Sequence, residues 1–360
     1  MVQRQETMDS AKGLAIFLVV FGHALQYTIA PAGGDYFGNP LFQAIYSFHM
    51  PLFMLISGYL AVFSVQNRTL HANLRNKTTG ILVPYTVWTV ILVFISAAAN
   101  IIGVGGIHLG EIPSALCSAL FRSPDLWFLY AHYFMYLLLF LSVALARWIG
   151  PAAYVLMLIL LWTVPEPIHS QYGIYYLQFF YVFFLGGYAL NRPAVTEILR
   201  PMTRKWTAVL LLMVIALEVV LIAEWNTTDF IYVHKMTLGS GSPILEMARM
   251  AYRMVTGFTG SLLVLYLCKG LVKTKLGQPF ILLGRYSLDI YLLQHVLFNV
   301  VYERVYPLLH WKLNDGQALF YGYCLFGSVI AVSCCVAFSQ VVIRRSKGLN
   351  ALLLGGRGSK

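Results

Sequence analysis

Ten apolar runs divide this 360-residue chain, near 13–30, 45–63, 80–102, 126–145, 151–165, 174–190, 207–223, 251–268, 282–302 and 318–341. A helix that crosses the ~30 Å hydrocarbon core of a bilayer needs about 20 mostly apolar residues. Most of the runs meet that length. The fifth is short, with Pro151 at its start and Pro165 at its end. Only 11% of the residues are charged and 59% are hydrophobic. A soluble domain carries roughly 25% charged residues, so lipid must solvate much of this chain. The expected fold is all-α, a polytopic membrane protein of about ten transmembrane helices. Residues 1–345 form one membrane domain and 346–360 a flexible cytoplasmic tail.

The net charge of +11 does not point to nucleic acid. The cations sit in short loops between apolar runs, where they set topology. With the N-terminus inside, eighteen of the 25 Lys and Arg residues fall on inner segments and five on outer ones. That bias places both termini in the cytoplasm. The five cysteines form no CxxC pair and read as small core residues, without a disulfide framework or a metal site. Ala30-Pro31-Ala32 resembles a small-residue cleavage site, but the mixed charge of residues 1–12 and the length of the first run read as a retained helix. No internal repeat is visible, which weakens an inverted-repeat transporter. The outer segment 224–250, with Trp225, Asp229, His234, Lys235 and Glu246, reads as a small lid.

Polar groups inside the runs are the candidates for chemistry, because hydrocarbon makes them expensive. Asp9, Lys12 and His23 head the list. Lys12 and His23 are eleven residues apart, about three turns, and so share a helix face about 16 Å apart along the axis. Asp9 lies three residues before Lys12 on that face. A neutral imidazole at that depth suits general-base work. The plainer role is interhelical hydrogen bonding.

His49 precedes Pro51, which removes a backbone donor and opens the helix locally. His49 either lines an acceptor pocket or caps that kink. Ser57-Gly58 offers close helix approach. Arg75 and Lys77 lie on an inner loop and could grip phosphates, although topology alone requires cations there. Trp127 fits an aromatic belt at the outer interface. Ser287, Tyr291, His295 and Asn299 recur every four residues as a polar stripe. Arg285 and Asp289, four apart, are placed to neutralise each other.

Taken together, Asp9-x-x-Lys12-Gly13 with Gly22-His23, then Phe48-His49-Met50-Pro51-Leu52-Phe53 and Ile56-Ser57-Gly58-Tyr59, resemble the acyltransferase-3 family of integral membrane acyltransferases. The likeness is to its fucose 4-O-acetylase-like branch, which includes exopolysaccharide O-acetyltransferases. The segment from Arg75 to Tyr85, Leu126-Trp127-Phe128-Leu129, and Gly284-Arg285-Tyr286-Ser287 with Tyr291 and His295 follow in the same order.

The resemblance implies a ten-helix enzyme of the bacterial inner membrane. Its donor would be acetyl-CoA, with no metal. Its acceptor would be a hydroxyl of a cell-envelope or secreted glycan, polymeric or lipid-linked. It further implies that His23 is catalytic, that Lys12 fills the basic position eleven residues before it, and that Arg75 belongs to the CoA side with Lys77. On that reading His49, Ser57, Trp127, Arg285, Ser287, Tyr291 and His295 bind substrate. Direct transfer and an acetyl-enzyme relay both remain open chemically. The rival class is a transporter or flippase for a glycan or small metabolite, with the His23 face lining its pathway.

Overall fold

The computed structural model describes residues 2–30, 34–101, 106–122, 125–192, 204–231, 233, 235, 242–298 and 317–356. Among these, every regular element is helical. The principal helices are α1 (Val2–Ile29), α2 (Pro40–Asn67), α3 (Leu70–Lys77), α4 (Val83–Ile101), α5 (Trp127–Ile149), α6 (Ala152–Trp162), α7 (Ile174–Leu190), α8 (Arg204–Ala223), α9 (Pro243–Leu271), α10 (Gly277–Arg285), α11 (Ser287–Val296), α12 (Gln317–Phe338) and α13 (Lys347–Leu354).

Six described helical stretches are long and apolar enough to cross a membrane. One of them joins α3 to α4 through a π-helical turn at Thr78–Leu82, giving a stretch from Leu70 to Ile101. The runs at 151–165, 174–190 and 207–223 form shorter apolar helices. Helix α6 has only 11 residues, about 16 Å at the helical rise. The prolines that bound it in sequence set that limit.

The expected single helix over 282–302 is instead two, α10 and α11, broken at Tyr286. That break corrects the expected pairing of Arg285 with Asp289. Four-residue spacing brings side chains together only along one continuous helix. Asp289, buried at 1% exposure, is held by Arg344 from beyond α12, with Nε to Oδ2 at 2.9 Å and Nη2 to Oδ1 at 3.1 Å. Ser339 Oγ donates to the same carboxylate. The Arg344 guanidinium also lies 4.2 Å over the Tyr286 ring, and Gln340 donates to the Tyr286 hydroxyl at 3.0 Å. Removing one partner of such a pair leaves a charge without compensation. Asp289→Ala is therefore expected to cost ~3–5 kcal/mol. An unchanged thermal midpoint of the purified variant in detergent would contradict this.

Close helix contacts come from glycine, since lipid supplies no hydrophobic drive for helix association and backbones must approach. A Cβ on Gly13 would lie 1.7 Å from the Phe280 carbonyl oxygen, and one on Gly284 would lie 1.8 Å from that of Asp9. Helices α1 and α10 thus lock through a reciprocal glycine pair. Gly58 and Gly187 do the same for α2 and α7, at 1.8 Å from the Phe184 oxygen and 1.9 Å from the Leu55 oxygen. The close approach read at Ser57-Gly58 is this second lock.

Residues 346–360, read as a flexible tail, are helical over Lys347–Leu354. The α13 helix ends at Gly355 in the left-handed region, φ +68°, and its Leu353 carbonyl accepts from Trp88 Nε1 at 3.0 Å. Leu354 is fully buried. Asn350 and Leu354 are the buried residues of this helix, whereas Leu349 and Leu352 stay exposed. All five cysteines are free thiols. Cys268, Cys324 and Cys335 are core residues as expected, whereas Cys117 and Cys334 are exposed.

Candidate active site

Helix α1 has no proline between Val2 and Ile29, so its register is unbroken. One of its faces carries Asp9, Lys12, Ile16, Val19 and His23, and that face lines two cavities in succession.

The first cavity has a volume of ≈310 Å³. Its polar wall includes Asp9, Lys12, Ser57, Lys77, Arg285 and Ser287. Lys12 Nζ donates to Asp9 Oδ1 at 3.0 Å, a partly exposed i,i+3 pair. Lys77 Nζ sits 3.6 Å over the Tyr136 ring. Arg285, released from Asp289 by the break at Tyr286, faces this cavity. Arg75 does not: it is exposed on α3 and absent from the lining. The expected pairing of Arg75 and Lys77 on one surface therefore splits, and only Lys77 reaches the cavity. Gly80, in the π-helical turn, belongs to the wall, and Gly355 of the docked C-terminal segment backs directly onto it.

The second cavity, ≈100 Å³, gathers His23, His49, Trp127 and His295. The His23 and His295 rings lie 6.2 Å apart. The His23 ring is buried, with the Gln26 side chain beside it, and its Nδ1 has no hydrogen-bond partner among the described residues. His49 Nδ1 lies 2.7 Å from the Ile45 carbonyl oxygen. A carbonyl only accepts, so Nδ1 carries the proton and neutral His49 keeps its Nε2 lone pair. His49 thus bonds within α2 two residues before Pro51 and also lines the cavity. Pro51 also leaves the Ser47 carbonyl without its helical donor, and Ser47 lines the same space. Trp127 stacks on Tyr176, with centroids 4.3 Å apart at 12°.

Tyr291 lines both cavities, together with Val19 and Met50. Its hydroxyl is buried beside the Phe128 backbone. The polar stripe of Ser287, Tyr291 and His295 therefore runs from the first cavity into the second, parallel to the α1 stripe. Asn299, its fourth member, lies outside the described residues.

Among the lining residues that sequence reasoning did not name as site members, three carry titratable or indole groups of note. His132 lines the first cavity. Trp225 and Asp229 line the second, from the segment read as a lid. Asp229 Oδ2 accepts the Asn226 backbone N–H at 3.0 Å, and Oδ1 lies 3.8 Å from Arg249 Nε. Trp225 Nε1 is buried without a hydrogen-bond partner among the described residues. No periodicity links this short connector to α1, about 200 residues earlier, so nothing local marked it. His234 of the same segment lies outside the described residues.

A family profile described as "Acyltransferase domain" matches residues 6–339. The chain is 29% identical to Nodulation protein NolL of Sinorhizobium fredii (strain NBRC 101917 / NGR234) over 354 residues, which covers 91% of this chain and 88% of that protein. It is 37% identical over 89 residues to Nodulation protein NolL of Mesorhizobium japonicum (strain LMG 29417 / CECT 9101 / MAFF 303099), covering 25% of this chain and 24% of that one. No solved structure matches. With that profile spanning nearly all its length, including both cavities and the α1 stripe between them, the chain belongs to the acyltransferase-3 family of integral membrane acyltransferases.

Proposed function

We propose that this protein moves an acetyl group from acetyl-CoA to a hydroxyl of a cell-envelope or exopolysaccharide glycan. One observation carries the reading: a cation-lined cavity and a histidine-lined cavity meet end to end along a single face of α1. In this reading the chain crosses the bacterial inner membrane ten times, with both termini and the first cavity on the cytoplasmic side. The positive-inside bias supports that orientation.

CoA phosphates would rest at the mouth on Lys12, Lys77 and Arg285, where charge-assisted hydrogen bonds are strongest. Arg75 would act from the surface on the approaching anion. The pantetheine arm is narrow enough to carry the thioester inward to Tyr291. His23 removes the proton of the acceptor hydroxyl as its oxygen attacks the thioester carbonyl. The Tyr291 hydroxyl, buried beside the Phe128 backbone, donates to the developing oxyanion. Collapse of the tetrahedral species expels the CoA thiolate, which takes the proton from His23. His49 and His295 orient the acceptor, and Asp229 and Trp225 offer it an acceptor and a donor. Ser57 and Ser287 contact the donor's amide-bearing arm.

Binding tests the donor half. Lys77→Ala and Arg285→Ala are each expected to weaken acetyl-CoA binding about tenfold, matching ~1.5 kcal/mol for a hydrogen bond to a charged group. Arg75→Ala should cost less, as it stands outside the cavity. Purified protein that binds neither acetyl-CoA nor CoA, in detergent and again in lipid, would sink the donor assignment and favour transport.

A further inference from the structure

The wall between the cavities fixes how large an acyl group can reach the histidines. Val19, Met50 and Tyr291 are the side chains common to both cavities. A thioester arriving from the cationic mouth meets His23 only when its carbonyl carbon stands at this wall. Carbons beyond the carbonyl must then fit between these side chains or enter the second cavity. That cavity is about a third the size of the first, at ≈100 Å³ against ≈310 Å³, and it must also hold the acceptor hydroxyl.

Two of the three side chains are stiff. Val19 is β-branched on a helix, which leaves essentially one rotamer, and it lies one turn before His23. Tyr291 makes edge contacts with both Phe128 and His295, each with centroids 5.4 Å away. Met50 is the adaptable member. It is buried and is followed directly by Pro51 in α2.

We infer that Val19, Met50 and Tyr291 form an acyl-length gauge that admits acetyl and rejects longer chains. The inference rests on the acyl-CoA reading above. A hydrophobic pocket discriminates one added methylene by roughly 10- to 200-fold. The gauge should therefore disfavour propionyl-CoA at least about tenfold against acetyl-CoA, and butyryl-CoA more strongly.

The experiment is competition binding to the full-length protein in detergent, using CoA, acetyl-CoA, propionyl-CoA, butyryl-CoA and hexanoyl-CoA. Each acyl-CoA is expressed relative to CoA in the same variant, so a misfolded variant reveals itself by losing CoA. Affinity is expected to fall with chain length in the wild type. Val19→Ala and Met50→Ala should flatten the fall, and Val19→Leu should weaken acetyl-CoA relative to CoA. Equal binding of acetyl-CoA and butyryl-CoA by the wild type overturns the gauge. So does an unchanged ratio in an alanine variant that still binds CoA. If both alanine variants lose CoA, the wild-type series alone decides. Absence of CoA binding by the wild type, in detergent and in lipid, overturns the acyl-CoA reading and the gauge with it.

Discussion

His23→Ala is expected to lower acetyl transfer by about 10²–10⁴-fold, the range a positioned general base contributes. Acetyl-CoA binding should persist, because the cations that would hold CoA line the other cavity. The measurement is transfer of labelled acetyl from acetyl-CoA to envelope glycan in membranes carrying wild type or variant. His23→Gln is the control, as it keeps a hydrogen-bonding side chain of similar reach but cannot take the proton. If His23→Gln retains wild-type transfer, His23 is structural and the base lies elsewhere. His49 would be the first place to look, because its Nδ1 is committed to the Ile45 carbonyl and its Nε2 is left as acceptor.

The second large effect is structural. Gly284→Val should destabilise the protein by about 3 kcal/mol or more, at the top of the usual range for overpacking. The obstacle is the Asp9 carbonyl, 1.8 Å from where the new Cβ would stand, and backbone cannot turn aside as a side chain can. Helices α1 and α10 would have to separate, carrying Lys12 away from Arg285. Gly327→Ala is the matched control in α12, where an added Cβ meets nothing within 4 Å. There, relief of glycine's backbone entropy should stabilise by ~0.5–1 kcal/mol. Thermal unfolding of the two variants in detergent reads the difference. Similar midpoints would mean that α1 and α10 can part without loss.

What sequence made visible was local. The Asp9–Lys12–His23 stripe depends only on helical spacing within one unbroken helix, and that face lines the two cavities. The apolar runs came from hydropathy and mark where the helices lie. What stayed hidden was long-range. The partner of Asp289 is 55 residues away, and the nearby Arg285 was a better guess until the helix broke at Tyr286. Arg75 and Lys77 lie on an eight-residue helix, too short for periodicity to say which faces inward. The aromatic and acidic wall from Trp225 to Ile231 belongs to a connector whose position is set by helices far off in the chain. The docked C-terminal helix was concealed by its terminal position, since its anchor, Trp88, lies 265 residues earlier.

A rod spanning 277–296 without interruption would carry any push on Tyr291 straight to Arg285. This protein has two rods instead, each riveted to a different neighbour: one to the first helix through Gly13 and Gly284, the other to Arg344 through Asp289. Arg285 is thus placed by the packing of α10 on α1, and Tyr291 by the pin at Asp289. The two cavities take these walls from separate anchors, and a substitution that loosens one leaves the contacts of the other in place.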